Sequence, residues 1–261
     1  MTILDVTARG AITHLRMNAP ERLNALSDEM IAALHDKLDR LAEDRNTRVI
    51  ILSGAGKAFC AGHDLRQMTA LRQAEDGGAA AFKDLFDRCA ALMARIQSLP
   101  QPVIAQVHGI ATAAGCQLVA TCDLAIAAED TRFGVNGVNI GLFCATPMVA
   151  LTRNIPRKHA FEMLTTGEFI PAPRAEELGF INSAVPGNQL ETETQTLAEK
   201  IAAKLGSAVT HGKTAFYEQL SLPTAEAYAF TGDVMVRNML DANTREGIDA
   251  FLEKRPPNWT Q

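Results

Sequence analysis

The sequence lacks the features that mark several large classes of protein. Its 261 residues include 25 Lys or Arg and 30 Asp or Glu, which gives a formal net charge of −5. Positive and negative charges alternate instead of forming a basic block, so a nucleic-acid partner is not expected. No apolar run approaches the roughly 20 residues that a membrane-spanning helix needs, so no membrane span is expected either.

The cysteines give no sign of disulfides or of a metal site. There are five, an odd number, and they lie in apolar sequence without a CxxC pair or a histidine at ligand spacing. The first ten residues contain an acid and no cationic run, which is unlike a secretory signal. We therefore expect a reduced, cytoplasmic protein without a metal. The cysteines are Cys60, Cys89, Cys116, Cys122 and Cys144.

Strand and helix patterns alternate along most of the chain. Residues 49–52 and 103–107 are continuous apolar runs typical of strands buried on both faces, whereas residues 79–99 and 115–121 have helical spacing or are apolar throughout. We interpret residues 108–114 as a turn. This alternation predicts an α/β fold with parallel strands and crossover helices.

The two ends of the chain have different patterns. Residues 3–6 and 11–16 alternate like two strands, with a turn predicted at Arg9 and Gly10. After about residue 190 the strand patterns stop, and helices are predicted over 190–206, 210–221, 224–241 and 244–254. We therefore predict an α/β core over residues 1–195 and a helical oligomerisation region over residues 196–261.

Two loops that contain glycine carry the most chemical information. Residues 59–65 follow a buried strand, and residues 109–116 join a strand to a buried helix. Such loops present backbone N–H groups, and a helix N-terminus favours anions. An ordinary strand-to-helix turn is the alternative for either loop alone. Two N–H groups that converge on one point would form an oxyanion hole.

Further motifs extend along the chain from residue 3 to residue 257. They are Asn24–Ser27, Lys57–Leu65, Pro102–Ala105, Ala114–Leu118, Cys122–Asp123, Phe133–Gly134, Asn139–Gly141, Thr166–Gly167, Ala175–Gly179 and Ala250–Arg255. In these motifs the chain resembles the crotonase (enoyl-CoA hydratase/isomerase) superfamily. The resemblance implies a spiral of ββα turns and a C-terminal helical region that builds trimers or dimers of trimers. It also implies a lyase or isomerase of fatty acid metabolism that acts on an acyl-CoA, with coenzyme A as part of the substrate and no tightly bound cofactor.

The resemblance also assigns roles to individual residues. It implies that the backbone N–H groups of His63 and Ala114 bind the thioester oxygen. The other residues that it places at the substrate or at coenzyme A are Arg22, Asn24, Ala25, Ala61, Gly62, Asp64, Leu65, Arg66, Phe251 and Lys254. Phe251 and Lys254 match a pair that reaches the coenzyme A of a neighbouring subunit.

Several of these roles have alternatives. The His63 imidazole is either incidental or an acid/base group, and Asp64 is expected to bind loop N–H groups. Arg66 is either a phosphate contact or a solvated surface charge. A terminal helix with Phe251 facing inward and Lys254 facing outward would also explain the C-terminal motif.

The chain departs from the superfamily where hydratases carry two glutamates, one to activate water and one to protonate the α carbon. Gln117 and Gly137 occupy these positions, and neither side chain exchanges protons at neutral pH. The run Gly141–Pro147 is similar to the enoyl-CoA hydratase domain-containing protein 3 branch. Within it, Cys144 either faces the site or is an inert buried thiol.

Three functions are consistent with this pattern. The first is an acyl-CoA enzyme that depends on its oxyanion hole, for example a decarboxylase that works through an enolate. The second is a non-catalytic or regulatory protein that binds coenzyme A thioesters. The third, a scaffold whose function is its trimer, has little support because both loops are still recognisable.

Overall fold

The computed structural model describes residues 2–259, and its centre is a six-stranded sheet. The strand order is β1, β2, β3, β4, β6, β9; β1 and β2 form an antiparallel hairpin, and all other neighbours are parallel. The hairpin turns at Gly10 and Ala11, so the turn predicted at Arg9 lies one residue too early. The strands are β1 Leu4–Arg9, β2 Ile12–Met17, β3 Val49–Gly54, β4 Val103–Val107, β6 Leu124–Ala128 and β9 Ser183–Val185.

A second, smaller sheet contains three short strands. β5 (Ile110–Thr112) pairs in parallel with β7 (Arg132–Gly134), which pairs antiparallel with β8 (Ile170–Pro171). The sequence predicted only a turn over residues 108–114, because three residues are too few for a recognisable alternation. β4 and β5 belong to different sheets, as do β6 and β7, and a helix follows each pair. This order is the expected spiral of ββα turns.

Helices cover the sheets and continue to the C-terminus. The first begins where the Ser27 hydroxyl accepts a hydrogen bond of 3.2 Å from the Met30 N–H, as its sequence predicted. The helices are α1 Asp28–Glu43, α2 Leu65–Leu71, α3 Ala79–Ser98, α4 Ala114–Thr121, α5 Ala145–Leu151, α6 Arg157–Thr166, α7 Ala172–Glu177, α8 Leu190–Ala202, α9 Gly206–Gln219, α10 Thr224–Met239 and α11 Ala242–Leu252. Short 3₁₀ turns lie at Pro20–Arg22, Asn136–Ile140 and Gly187–Gln189.

Apolar side chains cover both faces of the six-stranded sheet. On one face, Leu34 of α1 and Leu92 of α3 belong to the main core together with Leu52 of β3. On the other face, Ala198 of α8 lies in a second cluster with Ile51 of β3. All six residues of β3 are buried, as its continuous apolar sequence predicted.

A buried ion pair attaches the C-terminal helices to the core. Lys213 of α9 is 7% exposed, and its ammonium donates to Asp123 Oδ2 at 2.7 Å and to the carbonyl oxygens of Ile96 and Gln101 at 2.8 and 2.9 Å. The Tyr217 hydroxyl donates to Asp123 Oδ1 at 2.8 Å. Because every ammonium proton has an acceptor, α9 has a fixed position on the core.

The four helices predicted for the C-terminal part are present, with a break after Ala202. The predicted boundary at residue 195 falls inside α8, which packs on the sheet; the division into two regions remains a prediction. Within residues 2–259, no helix is both long and apolar enough to cross a membrane.

Candidate functional site

The two glycine-containing loops of the sequence lie side by side. Cys60 and Ala111 form a parallel bridge, in which the Cys60 N–H donates to the Ile110 oxygen at 3.2 Å and the Thr112 N–H donates to the Cys60 oxygen at 3.0 Å. Phe59 and Cys60 therefore lie alongside β5, and the first loop continues from there to His63, which bridges to Leu26. Since β5 leads into α4, the first loop also passes the N-terminus of that helix.

Gly62 lies where the first loop passes the N-terminus of α4. Its φ angle is +87°, which disfavours any residue with a side chain. A Cβ atom on Gly62 would also lie 3.1 Å from the Thr112 oxygen and 3.2 Å from the Ala114 nitrogen. Glycine is therefore needed here both for the backbone angle and for the close approach.

The peptide that joins Gly62 to His63 has a fixed direction. Its carbonyl oxygen accepts a hydrogen bond of 2.7 Å from the Leu26 N–H. Because the peptide is trans, the His63 N–H points away from Leu26. No backbone carbonyl among residues 2–259 accepts a hydrogen bond from this N–H.

Ala114 supplies the first N–H of α4. The first N–H groups of a helix have no partner within the helix, and this one has none elsewhere in the described chain. The preceding residue, Ala113, has φ 50° and ψ −119°, a conformation that is unusual for a residue with a side chain. Its N–H donates to the Gly134 oxygen at 2.9 Å, which holds this turn in place. The helix dipole favours an anion at this end of α4.

The His63 side chain points toward the core and not along the path of its N–H. Its Nδ1 lies 3.4 Å from the Leu26 oxygen, and its ring makes an edge contact with Phe86 at 5.6 Å between centroids. Since a carbonyl oxygen only accepts, Nδ1 carries the proton. Burial lowers the pKa of His63, so the imidazole is neutral near pH 7, and its Nε2 is buried without a partner among the described residues.

Gln117 stands on α4, one turn after Ala114. All eight residues of the helix are buried, and Gln117 is 6% exposed. Its Oε1 has no hydrogen-bond partner within the described residues. The helix thus places an amide, which hydrogen-bonds but does not exchange protons, at the first glutamate position.

At the second glutamate position, the space for a side chain is already filled. Gly137 lies in the 3₁₀ turn Asn136–Ile140, and a Cβ atom on it would overlap the Leu142 carbonyl oxygen and lie 2.9 Å from Cys144 Sγ. Cys144 is 6% exposed, and burial raises the pKa of its thiol. The sequence singled out the missing acid and the run that contains Leu142 and Cys144, but not their contact with Gly137, which depends on the folded backbone.

Asp64 has the structural role that the sequence predicted. Its carboxylate caps α2 by accepting hydrogen bonds from the N–H groups of Arg66 and Gln67 at 2.9 and 3.2 Å. It also lies 3.8 Å from the Arg22 guanidinium, which is largely exposed. Leu65 and Arg66 are exposed on α2, which buries no residue. The structure thus places the two predicted cations, Arg22 and Arg66, near the first loop, and both side chains are exposed.

The stretch that includes Asn24 and Ala25 supports the first loop from the other side. The Asn24 side chain is completely buried and donates to the carbonyl oxygens of Ala55 and Ala58, both at 2.8 Å. The Ala61 N–H donates to the Leu23 oxygen at 3.0 Å. The Asn24 N–H also donates to the Ala19 oxygen at 3.0 Å, so Asn24 supports the loop and offers no exposed atom to a ligand. A cavity of about 440 Å³ lies beside this stretch and is lined in part by Arg22 and Ala25.

The C-terminal pair differs from one of the interpretations. Phe251 is 81% exposed on α11, so the interpretation that it faces inward is wrong for the single chain. Lys254 is also exposed and lies just beyond the helix with φ 56°. A phenylalanine with this exposure is typical of a residue that contacts another molecule.

Comparisons with known proteins confirm the resemblance. The family model for enoyl-CoA hydratase/isomerase matches residues 7–261. Enoyl-CoA hydratase domain-containing protein 3, mitochondrial, of Xenopus laevis is 45% identical over 95% of this chain and 83% of its own length. Its name assigns that protein to mitochondria, so the cytoplasmic location of this chain remains a prediction.

Two solved structures have the same fold. An enoyl-CoA hydratase of Mycobacterium smegmatis is 49% identical with a TM-score of 0.95, and the match covers 99% of both chains. Human enoyl-CoA hydratase domain-containing protein 3 is 41% identical with a TM-score of 0.93 over 98% of this chain and 100% of the other. The predicted crotonase fold is therefore confirmed.

Proposed function

The chain belongs to the enoyl-CoA hydratase/isomerase family, and from this we propose that it binds an acyl-CoA and stabilises the thioester enolate. The N–H groups of His63 and Ala114 form the oxyanion hole. The observation that carries the proposal is the approach of Gly62 to the Ala114 nitrogen, which places the two loops together. Neither the His63 N–H nor the Ala114 N–H has a partner among residues 2–259.

The chemistry of a thioester explains why two N–H groups suffice for part of the reaction. When a bond to the α carbon breaks or forms, negative charge develops on the carbonyl oxygen. Dipoles that already point at this oxygen need no reorganisation when the charge appears, and each such donor is worth about 2.7–4 kcal/mol. The positive end of the α4 dipole adds to this stabilisation.

The residues at the two glutamate positions favour a reaction that needs little general acid or base catalysis. With Gln117 and Gly137 in place of glutamates, activation of water for hydration lacks both of its usual groups. Loss of carbon dioxide from a malonyl-type thioester forms the same enolate without a general base. We therefore propose a lyase that acts through an enolate, with coenzyme A bound as part of the substrate and no tightly bound cofactor.

The alternative is a protein that binds acyl-CoA without turning it over. The buried and unpartnered Gln117 amide is compatible with this function, because it offers hydrogen bonds but no proton transfer. Arg66 would contact the phosphates of coenzyme A in either case. Binding measurements alone do not distinguish the two functions, so the experiment must follow the acyl group.

We also propose that the C-terminal helices associate with other copies of the chain as a trimer or a dimer of trimers. α10 buries none of its residues within one chain. Large apolar side chains on α9, α10 and α11 are instead exposed, more than monomers usually leave in one region. They include Phe216, Leu220, Tyr228, Met235, Val236, Met239, Leu240, Phe251 and Leu252.

The test is a steady-state assay of the purified protein with crotonyl-CoA, butyryl-CoA in D₂O and malonyl-CoA. Each missing acid or base is worth about 10²–10⁴ in rate, so crotonyl-CoA hydration should be several orders of magnitude slower than in a typical hydratase. Turnover of malonyl-CoA, or α-proton exchange in butyryl-CoA, supports the enolate chemistry. Binding of all three without any turnover favours the alternative, and near-normal hydration contradicts the assignment of the lost acids.

A further inference from the structure

A cavity of about 320 Å³ lies between the core and the C-terminal helices, and no residue of the two glycine-containing loops lines it. Its volume is at the lower end of the range for small-molecule sites, which often occur between structural units. The core side comes from the end of α1, the following loop and the loop before β4. The opposite side comes from the junction of α8 and α9. Its walls include Thr47, Arg48, Pro100, Leu205, Val209 and Thr210.

Two arginines line this cavity: Arg45 is exposed, and Arg48 is partly buried against the α8–α9 junction. One guanidinium N–H of Arg48 donates to the Lys204 carbonyl oxygen. No Asp or Glu among residues 2–259 forms an ion pair with it. Desolvation lowers the pKa of Arg48, and no nearby carboxylate opposes the shift. The protein therefore leaves a partly desolvated cation without a counter-ion.

Asp44, an acidic residue of the same wall, bonds to its own turn. The Asp44 carboxylate accepts hydrogen bonds from the Thr47 hydroxyl at 2.8 Å and from the Asn46 N–H at 2.9 Å. These bonds lower the pKa of Asp44. Asp44 thus completes the turn before β3; it remains an ionised group of the wall and forms no ion pair with Arg48.

Gln101 is a buried polar residue of the same wall, and only one end of its amide is hydrogen-bonded within the described residues. Gln101 is 6% exposed, and its Nε2 donates to the carbonyl oxygens of Leu41 and Asp44 at 2.7 and 3.2 Å. Its Oε1 has no hydrogen-bond partner in the described chain. Because this amide oxygen only accepts hydrogen bonds, a carboxylate does not complete it, and Gln101 takes no part in holding an anion.

We propose that the cavity binds a small organic carboxylate. The remaining N–H groups of Arg48 hold its oxygens, because a guanidinium fits a carboxylate with two parallel hydrogen bonds. The short apolar chain of the carboxylate contacts Leu205 and Val209. An inorganic anion has no such chain and would leave these two side chains uncovered. A ligand in this position touches both the core and the α8–α9 junction, so binding stabilises the docked arrangement of the C-terminal helices.

The experiment is a titration of the full-length, assembled protein with sodium butyrate at constant ionic strength, followed by calorimetry and by the thermal transition. Wild-type protein should bind saturably, and the transition temperature should rise with butyrate but not with matched sodium chloride. Arg48→Gln should weaken binding about tenfold or more, because the paired hydrogen bonds are lost. Arg40→Gln, an exposed arginine on α1 outside the cavity, is the matched control and should bind as the wild type does.

A second variant tests the position of the site without removing the cation. Val209→Phe fills the cavity and leaves Arg48 in place, so it should also weaken butyrate binding. Three results would overturn the proposal: no saturable binding to the wild type up to about 10 mM, equal binding by Arg48→Gln, or phosphate binding as tightly as butyrate. Acyl-CoA binding in the same samples tests the proposed function separately.

Discussion

Gly137 and Leu142 are packed so closely that a Cβ atom at Gly137 would overlap the Leu142 carbonyl oxygen. Cys144 Sγ would lie only 2.9 Å from the same atom. The second glutamate position is therefore not an open cleft from which a carboxylate has been removed. A side chain at position 137 needs residues 142–144 to move, so we expect that a single substitution to glutamate does not produce a hydratase site.

This relationship predicts the stability of two matched variants. Gly137→Ala should lower the free energy of unfolding by about 1–3 kcal/mol, because the added methyl group forces the backbone of residues 142–144 to move. Gly212→Ala, in the middle of α9 with no atom within 4 Å of the added Cβ, should be neutral or raise it by about 0.5–1 kcal/mol. Urea unfolding at one protein concentration measures both. Equal stabilities for the two variants would contradict the packing at Gly137.

The buried ion pair between Lys213 and Asp123 predicts a larger effect. Lys213→Met leaves the Asp123 carboxylate buried without its cation and should cost about 3–5 kcal/mol. Tyr217→Phe removes one hydrogen bond to the same carboxylate and should cost about 1.5–3 kcal/mol. Lys83→Met, which removes an exposed ion pair with Asp87, is the control and should change stability little. A small effect of Lys213→Met would mean that α9 is not held by this pair.

The sequence predicted those parts of the fold that depend on long local patterns. The strand over residues 103–107 and the helix from residue 79 have nearly the predicted bounds, because their apolar residues repeat over a whole element. β5 was missed because only three residues form it. The ion pair of Lys213 with Asp123 had no local signal, since the two residues are 90 positions apart.

The candidate site was predictable to a similar degree. The sequence motif indicated that His63 and Ala114 matter, and the folded chain places their loops together. The direction of the His63 N–H could not be predicted, because it depends on the hydrogen bond between Gly62 and Leu26. The exposed position of Phe251 could not be predicted either, because a helical pattern does not say whether an apolar face meets the same chain or another copy.

The His63 imidazole predicts part of the pH dependence of stability. Burial lowers the pKa of His63 in the folded protein below its ordinary value of 6.5, so the unfolded chain binds the proton more readily. Its contribution to stability is complete above about pH 6.5 and is lost as the pH falls through the lowered pKa. Between about pH 7 and 5, His63→Ala should therefore lose less stability than the wild type. An imidazole NMR titration with a midpoint above 6.5 would contradict the burial of the neutral ring.

The exposed apolar side chains of α10 predict the oligomeric state. Light scattering at micromolar concentration should give the mass of a trimer or a hexamer, because oligomers cover such surfaces. Met235→Glu combined with Leu240→Glu should lower the mass, whereas Val6→Glu on β1 should not. A monomeric wild type would exclude the proposed contact of Phe251 and Lys254 with a neighbouring subunit.

The central claim is that backbone N–H groups polarise the thioester carbonyl, and difference infrared spectroscopy of a bound, ¹³C-labelled acyl-CoA measures this directly. The carbonyl band should shift to lower frequency in the wild type and in His63→Ala, because every residue except proline retains the N–H. The shift should be clearly smaller in His63→Pro, which lacks the amide hydrogen and leaves only the Ala114 N–H at the carbonyl oxygen; circular dichroism shows whether this variant is folded. An unshifted carbonyl in the wild type would contradict the oxyanion hole outright, and a shift lost in His63→Ala would assign the role to the imidazole instead.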